Sequence, residues 1–268
     1  MTNPLSTPSP WNAVVSGYIE ETMPLFLYYA REAISRAQLP PKAKVADIAA
    51  GPGTLSLLIA PEVSEVVAVD FAPEMIKALK QKSIESNITN IKASIGDGQS
   101  LELPTEHYDA AFSMFGLIFF PSRSKGFREM HRILKNGGRA LVSSWTPTER
   151  VPLLDAMFRS IKEQLPGLPF GGGKAPLGEK DEFYIEMNNA GFQDIEIHSM
   201  LHRATIPTME AFWNSNCRGS APLVLLRKNL GEDRWKDFSE AVLARLQEQF
   251  GEGQQTLEWP ALLGIGAK

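Results

Sequence analysis

Three carboxylates and one nearly bare turn carry the first chemistry legible in this chain. Asp47 lies inside the apolar run 45–48, Asp70 ends the run 66–70, and Asp97 follows the run 90–95. After the first run comes Ala49-Ala50-Gly51-Pro52-Gly53, whose small side chains let a ligand approach the backbone. A helix opening at Thr54 would turn its N-terminal amides and positive dipole end toward that ligand. Asp70 stands 19 positions after Gly51 (70 minus 51) and suits a ribose diol as a double acceptor. Asp97 suits the amino group of adenine, with the Gly98 amide for a ring nitrogen, and Asp47 suits a ligand ammonium, directly or through water. This is the pattern of a nucleoside site at the carboxyl ends of parallel strands.

Such residues need alternating strands and helices to hold them, and the chain supplies these. The pattern predicts strands at 45–48, 66–69, 90–95, 108–112 and 139–145, with helices at 54–60, from 71 onward, and at 127–134. That order implies parallel strands with right-handed crossovers. A helical stretch covers 11–39 and Pro24 is expected to split it in two, whereas residues 1–10, with Pro4, Pro8 and Pro10, are expected to be mobile. After 146 the rhythm changes. Helices are expected at 151–165, 179–190 and across 208–250, strands within 193–206 and at 256–268, and a flexible loop at 166–178 with Gly171-Gly172-Gly173 as a hinge.

With 268 residues, 43% hydrophobic and 22% charged, the chain can bury one substantial core. A net charge of −4 and a pI near 5.7 argue against nucleic acid as the main partner. The single cysteine, Cys217, allows no intrachain disulfide and no cysteine-built zinc site, and reads as a packing residue. No apolar run of about 18 residues and no secretory signal is visible, so a soluble cytoplasmic protein without a membrane span is expected.

Two ligands compete for the opening site. A dinucleotide wants G-x-G-x-x-G with its pyrophosphate on the helix N-terminus, but here the third glycine is missing from Gly51-Pro52-Gly53-Thr54-Leu55-Ser56. S-adenosylmethionine carries no phosphate and matches the spaced acids. Five segments, VADIAAGPG (45–53), VVAVDFAPEMI (66–76), IGDGQSLELP (95–104), YDAAFSMFGLIFF (108–120) and REMHRILKNGGRALVSSW (128–145), resemble in order and spacing the motifs of Rossmann-like, class I S-adenosylmethionine-dependent methyltransferases. The resemblance is strongest to the ubiquinone and menaquinone biosynthesis enzymes and related small-molecule methyltransferases, and it covers roughly residues 40–146. Ala49 departs from the glycine the family often has.

The resemblance implies a three-layer α/β fold with a seven-stranded sheet whose last strand is antiparallel, a helical N-terminal cap (1–40), a cofactor core (41–146), and helical inserts with the last two strands (147–268). It implies S-adenosyl-L-methionine as cofactor and S-adenosyl-L-homocysteine as product. By position, Asp47, Ala49, Gly51 and Gly53 would line the methionine end; Asp70, Phe71 and Met75 would hold ribose and one adenine face; Asp97, Gly98 and Gln99 would read adenine; Ser113 and Met114 would close the other side; and Tyr18 would cover the cofactor. The acceptor would be a small molecule with a hydrophobic or aromatic part, methylated on oxygen or carbon, beside Phe115 and Trp145. A non-catalytic cofactor-binding module, acting as sensor or partner-binding protein, is the alternative. The chain lacks the N/D-P-P-Y/F loop of base amino-methylation, the thiolates of arsenic methylation and the paired-glutamate loop that binds a substrate arginine. No catalytic residue stands out, because displacement from a sulfonium needs a base only when the acceptor must lose a proton. His107 and His131 read as surface residues. His198 and His202 share one face of a strand and read as sheet-edge residues in preference to a metal pair or base, and Trp213 and Trp259 read as core.

Overall fold

β1 (Lys44–Ile48) is buried along all but its first residue, as a strand covered on both faces must be. It pairs in parallel with β2 (Glu65–Asp70) on one side and β4 (Tyr108–Met114) on the other. Beyond these lie β3 (Ile91–Ile95) and β5 (Leu134–Trp145), also parallel. β7 (Gln255–Ala267) inserts antiparallel between β5 and β6 (Gln193–Ile206), so the order is β3-β2-β1-β4-β5-β7-β6. The chain crosses from β1 to β2 on one side and later sets β4 on the other. The carboxyl ends of β1 and β4 therefore flank the switch point where open α/β sheets bind ligands. The expected seven-stranded sheet with helices around it is present. This is a computed structural model, and it describes residues 3–167 and 175–268; the hinge expected at Gly171-Gly172-Gly173 lies outside them.

Helices cover both faces. On one, α2 (Met23–Arg36) and α3 (Thr54–Ile59) bury Tyr29, Ala33, Leu55 and Ile59 against Val45, Phe112 and Leu263. On the other, α5 (Arg123–Ile133) and α7 (Lys180–Asn189) bury Phe127, Met130, Phe183 and Met187 against Ile48, Ala111 and Val142. α4 (Pro73–Glu85) follows β2, with Pro73 in its first turn. A separate helical cluster joins α6 (Pro152–Gln164), α8 (Met209–Gly219), α9 (Ala221–Leu230) and α10 (Glu232–Phe250) around Met157, Trp213, Trp235 and Val242.

One expectation for the N-terminus needs correction. Residues 4–10, expected to be mobile, form a 3-10 turn (Pro4–Ser6) and the start of α1 (Pro8–Gly17). They are held by Ser6 Oγ, which donates to the Phe119 carbonyl at 3.0 Å, and by Trp11 Nε1, which donates to the Leu5 carbonyl at 2.9 Å. Pro24 falls in the first turn of α2, and the expected division into two helices, α1 and α2, is present. Pro24 has no N–H for the Glu20 carbonyl, and the chain widens into a π-turn, Tyr18–Thr22, that leads directly into α2. That turn seats on α8 through two glycines. A Cβ on Gly17 would lie 2.0 Å from the Arg218 carbonyl oxygen, and one on Gly219 would lie 2.6 Å from Thr22 Oγ1.

Candidate active site

A cavity of about 1220 Å³ opens over the carboxyl ends of β1, β2 and β4 and runs on beneath α6 and α8. Tyr18, Ala49, Gly51, Asp70, Phe71 and Met75 line one part of it, with Asp97, Gly98 and Gln99 beside them. Met114, Phe115 and Trp145 line the part that leads under the helices.

Asp70 is the organising group. Its Oδ2 accepts the Gly51 N–H and its Oδ1 the Ala72 N–H, both at 2.8 Å, so the carboxylate ties the β1 turn to the start of α4. Burial raises its pKa to about 6, against the opposing pull of these amides. Tyr18 is close enough that Asp70 adds to the burial that pushes its phenol up. At Gly51 (φ +56°) a Cβ would meet no atom of the described residues within 4 Å, so that face of the turn is open to the cavity. Asp97 is exposed, and accepts both the backbone and side-chain N–H groups of Gln99. Gln99 in turn accepts the Ser122 N–H through its Oε1. Gly98 is buried, and a Cβ there would strike the Phe120 ring at 2.4 Å, so only glycine fits beneath that ring.

Three residues expected in the site lie outside it. Asp47 is 1% exposed and accepts the Ser56 hydroxyl at 2.6 Å, which anchors α3 behind the turn rather than a ligand ammonium. Gly53 (φ +90°) is bare for packing: a Cβ would sit 2.2 Å from Leu79 Cδ1 of α4. Ser113 is fully buried, its hydroxyl without a partner among the described residues, and strand alternation sends its neighbour Met114 to the cavity instead.

The Asp47 environment sets a pH dependence. Burial raises its pKa from 3.8 to about 7, reinforced by Asp70 and opposed by Ser56. The folded protein thus keeps a proton that the unfolded chain releases near pH 4. This contribution to stability is complete below that pH and is lost as pH rises through about 7. Relative to Asp47→Asn, whose amide does not titrate, the wild type should lose about 2–3 kcal/mol between pH 5 and pH 8 in paired urea melts.

The turn after β4 is strained. Phe115 has φ +58°, unusual for a bulky residue, and Ala49 also has φ +58°. The Phe115 N–H donates to Ser143 Oγ at 2.9 Å, which holds the turn. The Phe115 ring then stacks between Phe26 (4.9 Å) and Trp145 (4.1 Å), and Trp259 lies 5.8 Å from Trp145. Leu154, Met157, Phe158 and Phe212 close the chamber from above. Phe26 of α2 had no signal in the sequence pattern beyond helical periodicity. Trp259 and His202 read as core and sheet edge, yet both reach the cavity, because β7 pairs with β5 and carries β6 on its far side, with His202 opposite Trp259. Trp213 is core, with Nε1 donating to Ser239 Oγ. His198 pairs with Glu196 at 2.8 Å, and among the described residues no group of three or more His, Cys, Asp or Glu could hold a metal. Cys217 is buried, and burial lifts its thiol to about 12.

Among the described lining residues the carboxylates are Glu21, Asp70 and Asp97, and the one guanidinium, Arg218, is paired with Glu21. That charge balance opposes a pyrophosphate and suits a neutral adenosine carrying a cationic sulfonium.

Known proteins agree with this geometry. Residues 45–138 match the model of a methyltransferase domain. A ubiquinone/menaquinone biosynthesis C-methyltransferase UbiE of Geobacter sp. strain M21 is 33% identical over 184 residues, covering 62% of this chain and 77% of that protein. Methyltransferase ktnA of Aspergillus niger is 26% identical over 224 residues, covering 74% of this chain and 73% of that protein. The crystal structure of Bacillus YcgJ superposes with a TM-score of 0.59 at 20% identity, over 90% of this chain and 98% of that one. With its sheet order, its open turn at Gly51 and its acids at the strand ends, the chain belongs to the Rossmann-like, class I S-adenosylmethionine-dependent methyltransferases.

Proposed function

We propose that this enzyme transfers the methyl group of S-adenosylmethionine to a neutral small molecule with an apolar or aromatic part, at oxygen or carbon. The observation that carries the reading is one continuous cavity joining the open turn at Gly51 to the aromatic chamber of Phe115, Trp145 and Trp259. Such a chamber open beside Met114 serves an enzyme; a module that only sensed the cofactor would have no use for it. The residues at the donor end fit the cofactor. Gly51 leaves room where a side chain would intrude, and Asp70 keeps spare lone pairs for the ribose hydroxyls after accepting two amides. Asp97, Gly98 and Gln99 would meet adenine, Phe71 and Met75 its flank, Ala49 the methionine end, and Tyr18 would cover it.

When bound, the cofactor supplies a methyl group already activated on a sulfonium. The protein must then hold the acceptor in line and keep water out. Phe115 and Trp145 provide a flat apolar wall, and α6 and α8 a roof. Free anionic acceptors are disfavoured, because among the described lining residues the only guanidinium is already committed to Glu21. Calorimetric titration with S-adenosylhomocysteine, NAD and NADP tests the reading. Only the first should bind; binding of either dinucleotide, or no binding of S-adenosylhomocysteine, would overturn it.

A further inference from the structure

The aromatic part of the cavity, around Phe115, Trp145 and Trp259, carries one imidazole on its far wall. There β6 sets His202 opposite Trp259, and both line the cavity. The imidazole stacks on Tyr28 at 4.8 Å and lies 6.3 Å from Tyr29, whose ring also touches Phe115 at 5.1 Å. One ring therefore separates His202 from the strained turn where donor and acceptor meet. Among the described residues neither nitrogen of His202 has a hydrogen-bond partner. Two hydroxyls of the same cavity have already given their hydrogens away: Ser144 Oγ to the Pro176 carbonyl at 2.6 Å, and Thr146 Oγ1 to the Pro260 carbonyl at 3.2 Å. Burial lowers the imidazole pKa, and no charged neighbour adds to or opposes that shift. A neutral imidazole offers one acceptor and one donor nitrogen, the pattern that recognises a hydroxyl.

We propose that His202 is a specificity-determining residue, whose ring hydrogen-bonds a hydroxyl on an otherwise apolar, ring-containing acceptor and turns the reacting atom toward the donor end. The proposal rests on the methyltransferase reading of the cavity and names its acceptor class. A polar group that matches a buried partner discriminates more strongly than added apolar area does.

The test uses 2-naphthol and naphthalene as probes, titrated calorimetrically into protein saturated with S-adenosylhomocysteine. Wild type should bind 2-naphthol about tenfold more tightly than naphthalene, one decade of affinity. His202→Leu should bind the two alike, and His202→Gln, which keeps an acceptor and a donor, should restore most of the preference. A simple packing function for the ring would not give that rescue. In labelled protein the His202 ring nitrogen signals should shift with 2-naphthol and not with naphthalene. A preference that survives in His202→Leu, or failure of both probes to bind protein that holds S-adenosylhomocysteine, would refute the proposal. Failure of S-adenosylhomocysteine itself to bind wild type would refute the cofactor reading instead.

Discussion

Asp70→Ala should weaken S-adenosylhomocysteine binding by about 100- to 1,000-fold in calorimetry. Three things are lost at once. The ribose acceptor goes, and so do the two 2.8 Å bonds that pin the Gly51 and Ala72 amides. A hydrogen bond to a charged group contributes about 1.5–3 kcal/mol, so losing the ribose contact and the preformed turn together reaches about 3–4 kcal/mol. Asp70→Asn separates these contributions. Its amide oxygen can still take one backbone N–H, but its NH₂ then faces the other donor, so an intermediate loss of affinity is expected. Because burial raises the Asp70 pKa to about 6, the variants need not be much less stable than wild type at pH 8. Affinity and melting temperature measured on the same samples would divide ligand recognition from folding. An Asp70→Ala protein with undiminished affinity would remove Asp70 from the site.

The second large effect concerns a pair of small residues. A Cβ added at Gly116 would lie 2.3 Å from the Ala49 methyl, inside any allowed contact. Gly116→Ala should therefore destabilise the protein by about 2–3 kcal/mol, at the upper end for overpacking, because both residues sit on turns that cannot shift independently. Ala49→Gly removes the obstructing methyl and also relieves a left-handed residue at φ +58°. The double variant Ala49→Gly/Gly116→Ala should recover most of the loss, with a coupling of at least 1 kcal/mol in a double-mutant cycle of urea unfolding. Additive single effects would contradict the contact. The Ala49 methyl fills space that Gly116 leaves free in the cavity lining.

The donor half of the cavity was legible because it is built from consecutive units. Strand, bare turn, helix and terminal acid repeat with β-α spacing, so order along the chain becomes order along the sheet. Asp70 and Asp97 fall at strand ends, and strand ends at a switch point face the ligand. Asp47 looked equivalent in type and neighbourhood. Its position inside β1 instead turned it to the Ser56 hydroxyl beneath the turn. Gly51 and Gly53 looked equivalent too, but only packing against Leu79 distinguishes a glycine kept for the helix from one kept for the ligand.

Of the acceptor half only Phe115 and Trp145 were legible, beside the strand ends, and the rest was not, for a different reason. Phe26, His202, Phe212 and Trp259 are spread over most of the chain, and each sits in a pattern that also describes ordinary core. They meet because β7 enters antiparallel between β5 and β6, and because a π-turn before Pro24 rolls α2 onto the same chamber. Local periodicity carries no record of either event. The sequence by itself determined the sheet, the open turn and the acids that suit the methyl donor, since these depend on residue type and short spacing. The tertiary structure alone decided which of those acids reach the cavity, and it assembled the aromatic chamber with its single imidazole, since long-range packing brings distant residues to one surface.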